Sequence, residues 1–154
     1  MRPSTCLSRL YKRLALCLLL PVILFAAATS AGAQTTLTEL QSMTVELWPD
    51  YDRPSMLVLM TGAVPAGTTL PVELSLPVPA GAEIHAVASF NEAGALMTNT
   101  AYTVDNDRLT LTTPSERFRV EYYSPYEVVD GNYLYTFEWL SDMAVGQMNV
   151  AVQQ

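Results

Sequence analysis

Arg117-Phe118-Arg119-Val120-Glu121-Tyr122-Tyr123 sets Phe118, Val120 and Tyr122 on one side of an extended chain and Arg117, Arg119 and Glu121 on the other. Successive side chains of a strand point to opposite faces. This alternation therefore marks a strand that covers a core with one face and meets water with the other. The pattern recurs along the chain. Val72, Leu74 and Leu76 oppose Glu73 and Ser75; Leu109 and Leu111 oppose Arg108, Thr110 and Thr112; Met148, Val150 and Val152 oppose Asn149 and Gln153. Met56-Leu57-Val58-Leu59-Met60 is apolar on both faces and reads as a central strand, with the core on one side and a loop or neighbour on the other.

Working outward, the remaining strands are expected at Met43–Trp48, Ser55–Thr61, Leu70–Leu76, Glu83–Phe90, Ala95–Val104, Arg108–Thr112, Asn132–Trp139 and Gln147–Gln153. Turn residues divide them, among them Asp50 to Pro54, Pro77 to Gly81, Asp105-Asn106-Asp107 and Asp130-Gly131. Glycine, asparagine and aspartate tolerate positive φ and proline withdraws a ladder donor, so these clusters end strands for a physical reason. Helical periodicity is missing throughout; Thr36 to Leu40 is read as one helical turn at most. Short strands at a spacing of about 8–12 residues predict an all-β fold, an antiparallel Ig-like β-sandwich of about 7–9 strands.

The N-terminus is of another kind. Arg2, Arg9, Lys12 and Arg13 precede an apolar run from Leu14 to Ala28, and Ala31-Gly32-Ala33 closes the segment. A charged start, an apolar middle and a small-residue cleavage site make residues 1–33 a secretory signal peptide, cut before Gln34. The alternative, a retained anchor, asks about 20 apolar residues of a run that is shorter and broken by Pro21. The organisation is then a signal at 1–33, a lead-in segment at 34–42 and a β-sandwich domain at 43–154. The protein is expected to be exported, to the cell surface, the periplasm or the medium, with a mature domain that does not span a membrane. The chain stops at Val150-Ala151-Val152-Gln153-Gln154 within an extended segment, which is read as a natural short form or a truncated version of a longer anchored protein.

Composition excludes several function classes. Both cysteines, Cys6 and Cys17, precede Gln34, so the mature part has neither a disulfide nor a thiolate metal site. Four arginines (Arg53, Arg108, Arg117, Arg119) and no lysine stand there against all fifteen carboxylates, a net charge of −11. Nucleic acid and anionic lipid both require clustered cations, so neither is an expected partner.

Catalytic chemistry finds little support. The one histidine, His85, falls opposite Ile84, Ala86, Ala88 and Phe90 and reads as a surface residue of a strand. Nucleophilic catalysis needs an activated nucleophile beside a base, and no such constellation is present. A glycosidase needs two acids across a cleft; with fifteen acids, a pair such as Glu121 and Glu138 arises by chance. No cofactor is expected. A calcium ion is the one metal the residues suggest, at Asp50 and Asp52, whose short carboxylates share a loop flanked by Trp48 and Tyr51. Asp105-Asn106-Asp107 is explained by a hairpin turn.

Aromatic residues are dense between Tyr122 and Trp139. Tyr133, Tyr135, Phe137 and Trp139 alternate and read as a core-facing row. Tyr123 and Tyr126, off that row and beside Pro125, read with Tyr51 and Trp48 as candidate ligand contacts, since flat rings stack on sugars.

Val45-Glu46-Leu47-Trp48-Pro49-Asp50-Tyr51-Asp52-Arg53-Pro54-Ser55, Leu76-Pro77-Val78-Pro79-Ala80-Gly81-Ala82 and Phe118-Arg119-Val120-Glu121-Tyr122-Tyr123 together resemble a group of uncharacterised exported bacterial proteins. The resemblance covers residues 43–153. It implies an N-terminal β-sandwich ectodomain, in many cases membrane-anchored downstream, and it brings no activity with it. The expected function is a non-enzymatic interaction or structural module of the cell envelope or extracellular space, with a protein or polysaccharide partner. The alternatives are a carbohydrate-binding module using exposed aromatics and, less favoured, a hydrolase.

Overall fold

The computed structural model describes residues 37–98 and 100–153, so the signal expected at 1–33 lies outside the described residues. The described chain is all-β. Its strands are β1 (Glu39–Pro49), β2 (Met56–Ala63), β3 (Val72–Pro77), β4 (Glu83–Phe90), β5 (Leu96–Met97), β6 (Tyr102–Asp105), β7 (Arg108–Thr113), β8 (Arg117–Ser124), β9 (Glu127–Val129), β10 (Asn132–Leu134) and β11 (Ala144–Val152). Six form one sheet in the order β11-β1-β2-β8-β4-β5, three form a second in the order β3-β7-β6, and β9 with β10 makes a separate hairpin. All pairings are antiparallel except that of β1 with β11. No described helix is long and apolar enough to cross a membrane.

The two larger sheets share one core. Met43, Val45, Val58, Met60, Phe118, Val120 and Tyr122 face it from the six-stranded sheet; Leu74, Leu76, Leu109 and Leu111 face it from the other. The alternation of residues 117–123 is realised in β8 with Phe118, Val120 and Tyr122 inward. β2, apolar on both faces, is central as its sequence required: Leu57 and Leu59 point away from the main core and pack with Tyr123 and Trp48 in a smaller cluster on the outer face. On that same face Arg119 donates to the Thr61 hydroxyl at 2.9 Å and stands 3.9 Å from both Glu46 and Glu121.

Several expectations need correction. The helical turn at Thr36 to Leu40 is absent over its described part, and β1 already begins at Glu39, inside the expected lead-in. Ala95–Val104 is two strands, because the chain leaves the six-stranded sheet after β5 and joins the other as β6. A β-bulge in β4 falls between Ile84 and Ala86, so Ile84 pairs with Tyr122 and Val87 with Val120, while Ala86 pairs with Glu121 on the outer side. The extra residue, His85, is exposed, and beyond it the inward face passes to Val87 and Ser89. Asn132–Trp139 is a ladder strand only as β10; from 135 to 140 the residues alternate half-buried and exposed with no strand partner. Tyr135, Phe137 and Trp139 pack against the core, but Tyr133 is 57% exposed. β9 has no strong sequence signal; its hairpin is closed by Asp130 and Gly131, both at positive φ. The turn at Asn106-Asp107 closes β6 onto β7 as expected, with Asp105 opposite Arg108.

Candidate functional site

The six candidate residues gather at one end of the six-stranded sheet, around the loop from β1 to β2. Asp50 leaves β1 at φ 52, a left-handed conformation that a short polar side chain tolerates. Its N–H donates to the Ser55 carbonyl at 3.1 Å, and the Ser55 hydroxyl donates to the Ser124 carbonyl at 2.8 Å, tying the loop to the end of β8. So held, the loop folds over the outer face of the sheet.

Tyr123 lies beneath it. The Arg53 guanidinium sits 3.4 Å from its ring centroid, His85 meets it edge-on at 5.4 Å, and its hydroxyl donates to Asp52 Oδ1 at 2.7 Å. Arg53 in turn donates to Glu83 at 2.9 Å. Glu83 reaches this place because β4 pairs it with Tyr123. Burial, then the bond to Asp52, raises the Tyr123 phenol pKa, and the bond to Glu83 raises that of Arg53. At 4% exposure Tyr123 is not the exposed contact residue that the sequence suggests. It is a buttress, with one face of its ring covered by a cation.

Tyr126 stands beside this group. Its hydroxyl donates to Asp50, and that bond, with burial second, pushes its phenol up to about 12. Tyr133 of β10 meets the Tyr126 ring edge-on at 4.8 Å, and Trp48 meets Tyr51 in the same manner at 5.1 Å. Tyr51 is 61% exposed and Trp48 half-buried. The result is a surface with exposed aromatic rings, Tyr51 and Tyr133, set around carboxylates that neighbouring phenols hold in place.

Asp50 and Asp52, the calcium candidates, are therefore each engaged by a tyrosine hydroxyl. Among the described residues no three His, Cys, Asp or Glu side chains are grouped to hold a metal ion. Of the acids Glu121 and Glu138, Glu121 is on β8 beside Arg119 and Glu138 is in the unpaired 135–140 segment. That segment and Pro77–Ala80 border an open cleft of about 330 Å³, where Glu138 and Asp107 are the lining carboxylates.

Four participants were not among the sequence candidates. Arg53 carried a signal, as the one cation in the acidic loop. Tyr133 falls by its alternation in the core-facing row. Glu83 and His85 could be found only from the register of β4 on β8, bulge included. No protein-family model matches this chain, and no curated protein matches it.

Proposed function

We propose that the chain is an exported, non-enzymatic binding module, an Ig-like antiparallel β-sandwich that engages a cell-envelope or extracellular partner through the aromatic and acidic cluster at the β1–β2 loop. The observation that carries this reading is the convergence of Trp48, Asp50, Tyr51, Asp52, Tyr123 and Tyr126 on one surface, with Tyr51 and Tyr133 exposed. The loop is already ordered by hydrogen bonds, so binding there costs little conformational entropy. Two mainly antiparallel sheets that share one core support the sandwich part of this reading. Export rests on the signal expected at residues 1–33, and an envelope setting on the resemblance to exported bacterial ectodomains.

A second reading, polysaccharide binding, is favoured by the two exposed rings beside carboxylates: the rings offer stacking faces and Asp50 and Asp52 offer acceptors for sugar hydroxyls. The test is a thermal melt of the purified protein with calcium, with EDTA and with a panel of soluble polysaccharides, repeated on Tyr51→Ala and Tyr133→Ala. Ligands that bind only the folded state raise the melting temperature. A shift lost in both variants supports the cluster as a glycan site. The absence of any shift transfers the reading to a protein partner. A shift that survives both substitutions puts binding elsewhere and overturns the site. The mass of the exported product checks cleavage before Gln34.

A further inference from the structure

β11 is the edge strand of the six-stranded sheet, paired on one side with β1. Edge strands expose a row of backbone donors and acceptors, and most are blunted by charge, proline or shortness. The other edges here are blunted. β5 has two residues; β6 has four and ends in Asp105; β3 is bracketed by Pro71 and Pro77 and receives the Leu37 N–H at Glu73. β11 is nine residues long, Ala-Val-Gly-Gln-Met-Asn-Val-Ala-Val, with neither a charge nor a proline.

Its inner face is also uncovered beyond Met148, which packs partly buried against the core. Val150 and Val152 pair with Val45 and Leu47 of β1 and so point toward the same side of the sheet. Val45 and Leu47 are buried, whereas Val150 and Val152 are 53% and 61% exposed. The outward backbone groups can be assigned by parity. The Gln153 N–H donates to the Leu47 carbonyl at 2.9 Å, so Gln153, Ala151 and Asn149 turn their groups to β1, and Met148, Val150 and Val152 turn theirs outward.

We propose that β11 is a homodimer interface, in which two copies pair their last strands antiparallel about a two-fold axis at Val150 and join their six-stranded sheets. This register sets Val150 opposite Val150 and Met148 opposite Val152, so every outward-turned residue meets an outward-turned residue and the hydrogen bonds of both strands are satisfied. It brings the exposed valines and Met148 of both copies together on the inner face. Asn149 then faces Ala151 and Gln147 faces Gln153 on the outer face. It uses only the part of β11 beyond Gly146, where the strand lies so close to β1 that an added Cβ would fall 2.9 Å from the Gln41 carbonyl oxygen. Electrostatics permits a second copy at this edge. Two acidic chains repel one another over most of their surface, and β11 is a long neutral edge on which they can meet. Isologous pairing requires a self-complementary strand, and this one is.

The experiment is sedimentation velocity of the purified full chain across a wide concentration range, with Val150→Lys and, as a control at another edge, Tyr102→Lys. The wild type and Tyr102→Lys are expected at twice the monomer mass. Val150→Lys, which sets two cations on the axis at an exposed site, is expected at the monomer mass with an unchanged far-ultraviolet spectrum and a cooperative melt that, unlike the wild type's, does not depend on protein concentration. A wild type that stays monomeric into the hundreds of micromolar overturns the proposal, as does a Val150→Lys dimer as tight as the wild type. Loss of the dimer in both variants also overturns it, because the interface would then not be specific to β11.

Discussion

Gly62 lies on the inward face of β2, opposite Phe118 of β8, whose ring is fully buried and occupies the space a side chain would take. A Cβ at Gly62 would lie 2.7 and 2.9 Å from Cε1 and Cε2 of that ring, and closer still to Cζ. Carbon atoms prefer a separation of about 3.5–4.0 Å, so in Gly62→Ala either the ring or a strand must move by more than about an ångström. Phe118 has no solvent to move into. Overpacking of this kind costs about 1–3 kcal/mol. Against it, replacing a strand glycine by alanine removes an entropic penalty of roughly 0.5–1 kcal/mol. The clash wins, and the net loss is about 1–2 kcal/mol. A domain of this size unfolds with an entropy near about 0.25 kcal/mol/K, so the melting temperature should fall by about 4–8 °C. Differential scanning calorimetry measures it. In the double-mutant cycle with Phe118→Leu, the smaller partner should relieve the clash, so the double variant should be more stable than the sum of the single changes implies. A Gly62→Ala protein as stable as the parent, or additive costs in the cycle, would refute the reasoning.

Two further outcomes follow from the cluster. Tyr126 in the folded chain titrates at about 12, above the ordinary value of 10, and Tyr123 is also raised. A raised folded pKa stabilises below the unfolded value and ceases to do so as pH climbs through the folded one; the protein should therefore lose stability between about pH 10 and 12. Absorbance titration should show late-ionising phenols, one of them missing in Tyr126→Phe, and simultaneous ionisation of all phenols near the ordinary value would contradict this. Tyr123→Phe keeps the ring under Arg53 but removes the bond to Asp52, and should lower stability by about 0.5–1 kcal/mol in urea denaturation, with an unchanged midpoint counting against the buttress role.

Much of this architecture was legible in the chain. Residues 117–123, 72–76 and 108–112 alternate with period two, and each is a strand with the expected face inward, because burial of one face is a local property of a strand's own side chains. The doubly apolar Met56–Met60 could only be central, and it is. The site was legible in part. The acids and aromatics of the β1–β2 loop stood out, whereas Tyr123 was placed on the surface because nothing local says that Arg53 will fold over it. The last aromatic row failed similarly: Tyr135, Phe137 and Trp139 carry strand alternation, but whether they join a ladder depends on a partner.

The sequence by itself determined the strand content, the burial of most faces, the turn positions and the acidic balance, all of which depend on residues within a few positions of one another. Tertiary structure alone decided which strands are neighbours, that β11 returns parallel to β1, that a bulge at His85 reverses the faces of β4, and that Glu83, Arg53, Tyr123 and Asp52 meet. Those outcomes depend on register between segments far apart in the chain. A shift of one residue there exchanges the two faces of a strand while leaving its own sequence pattern unchanged.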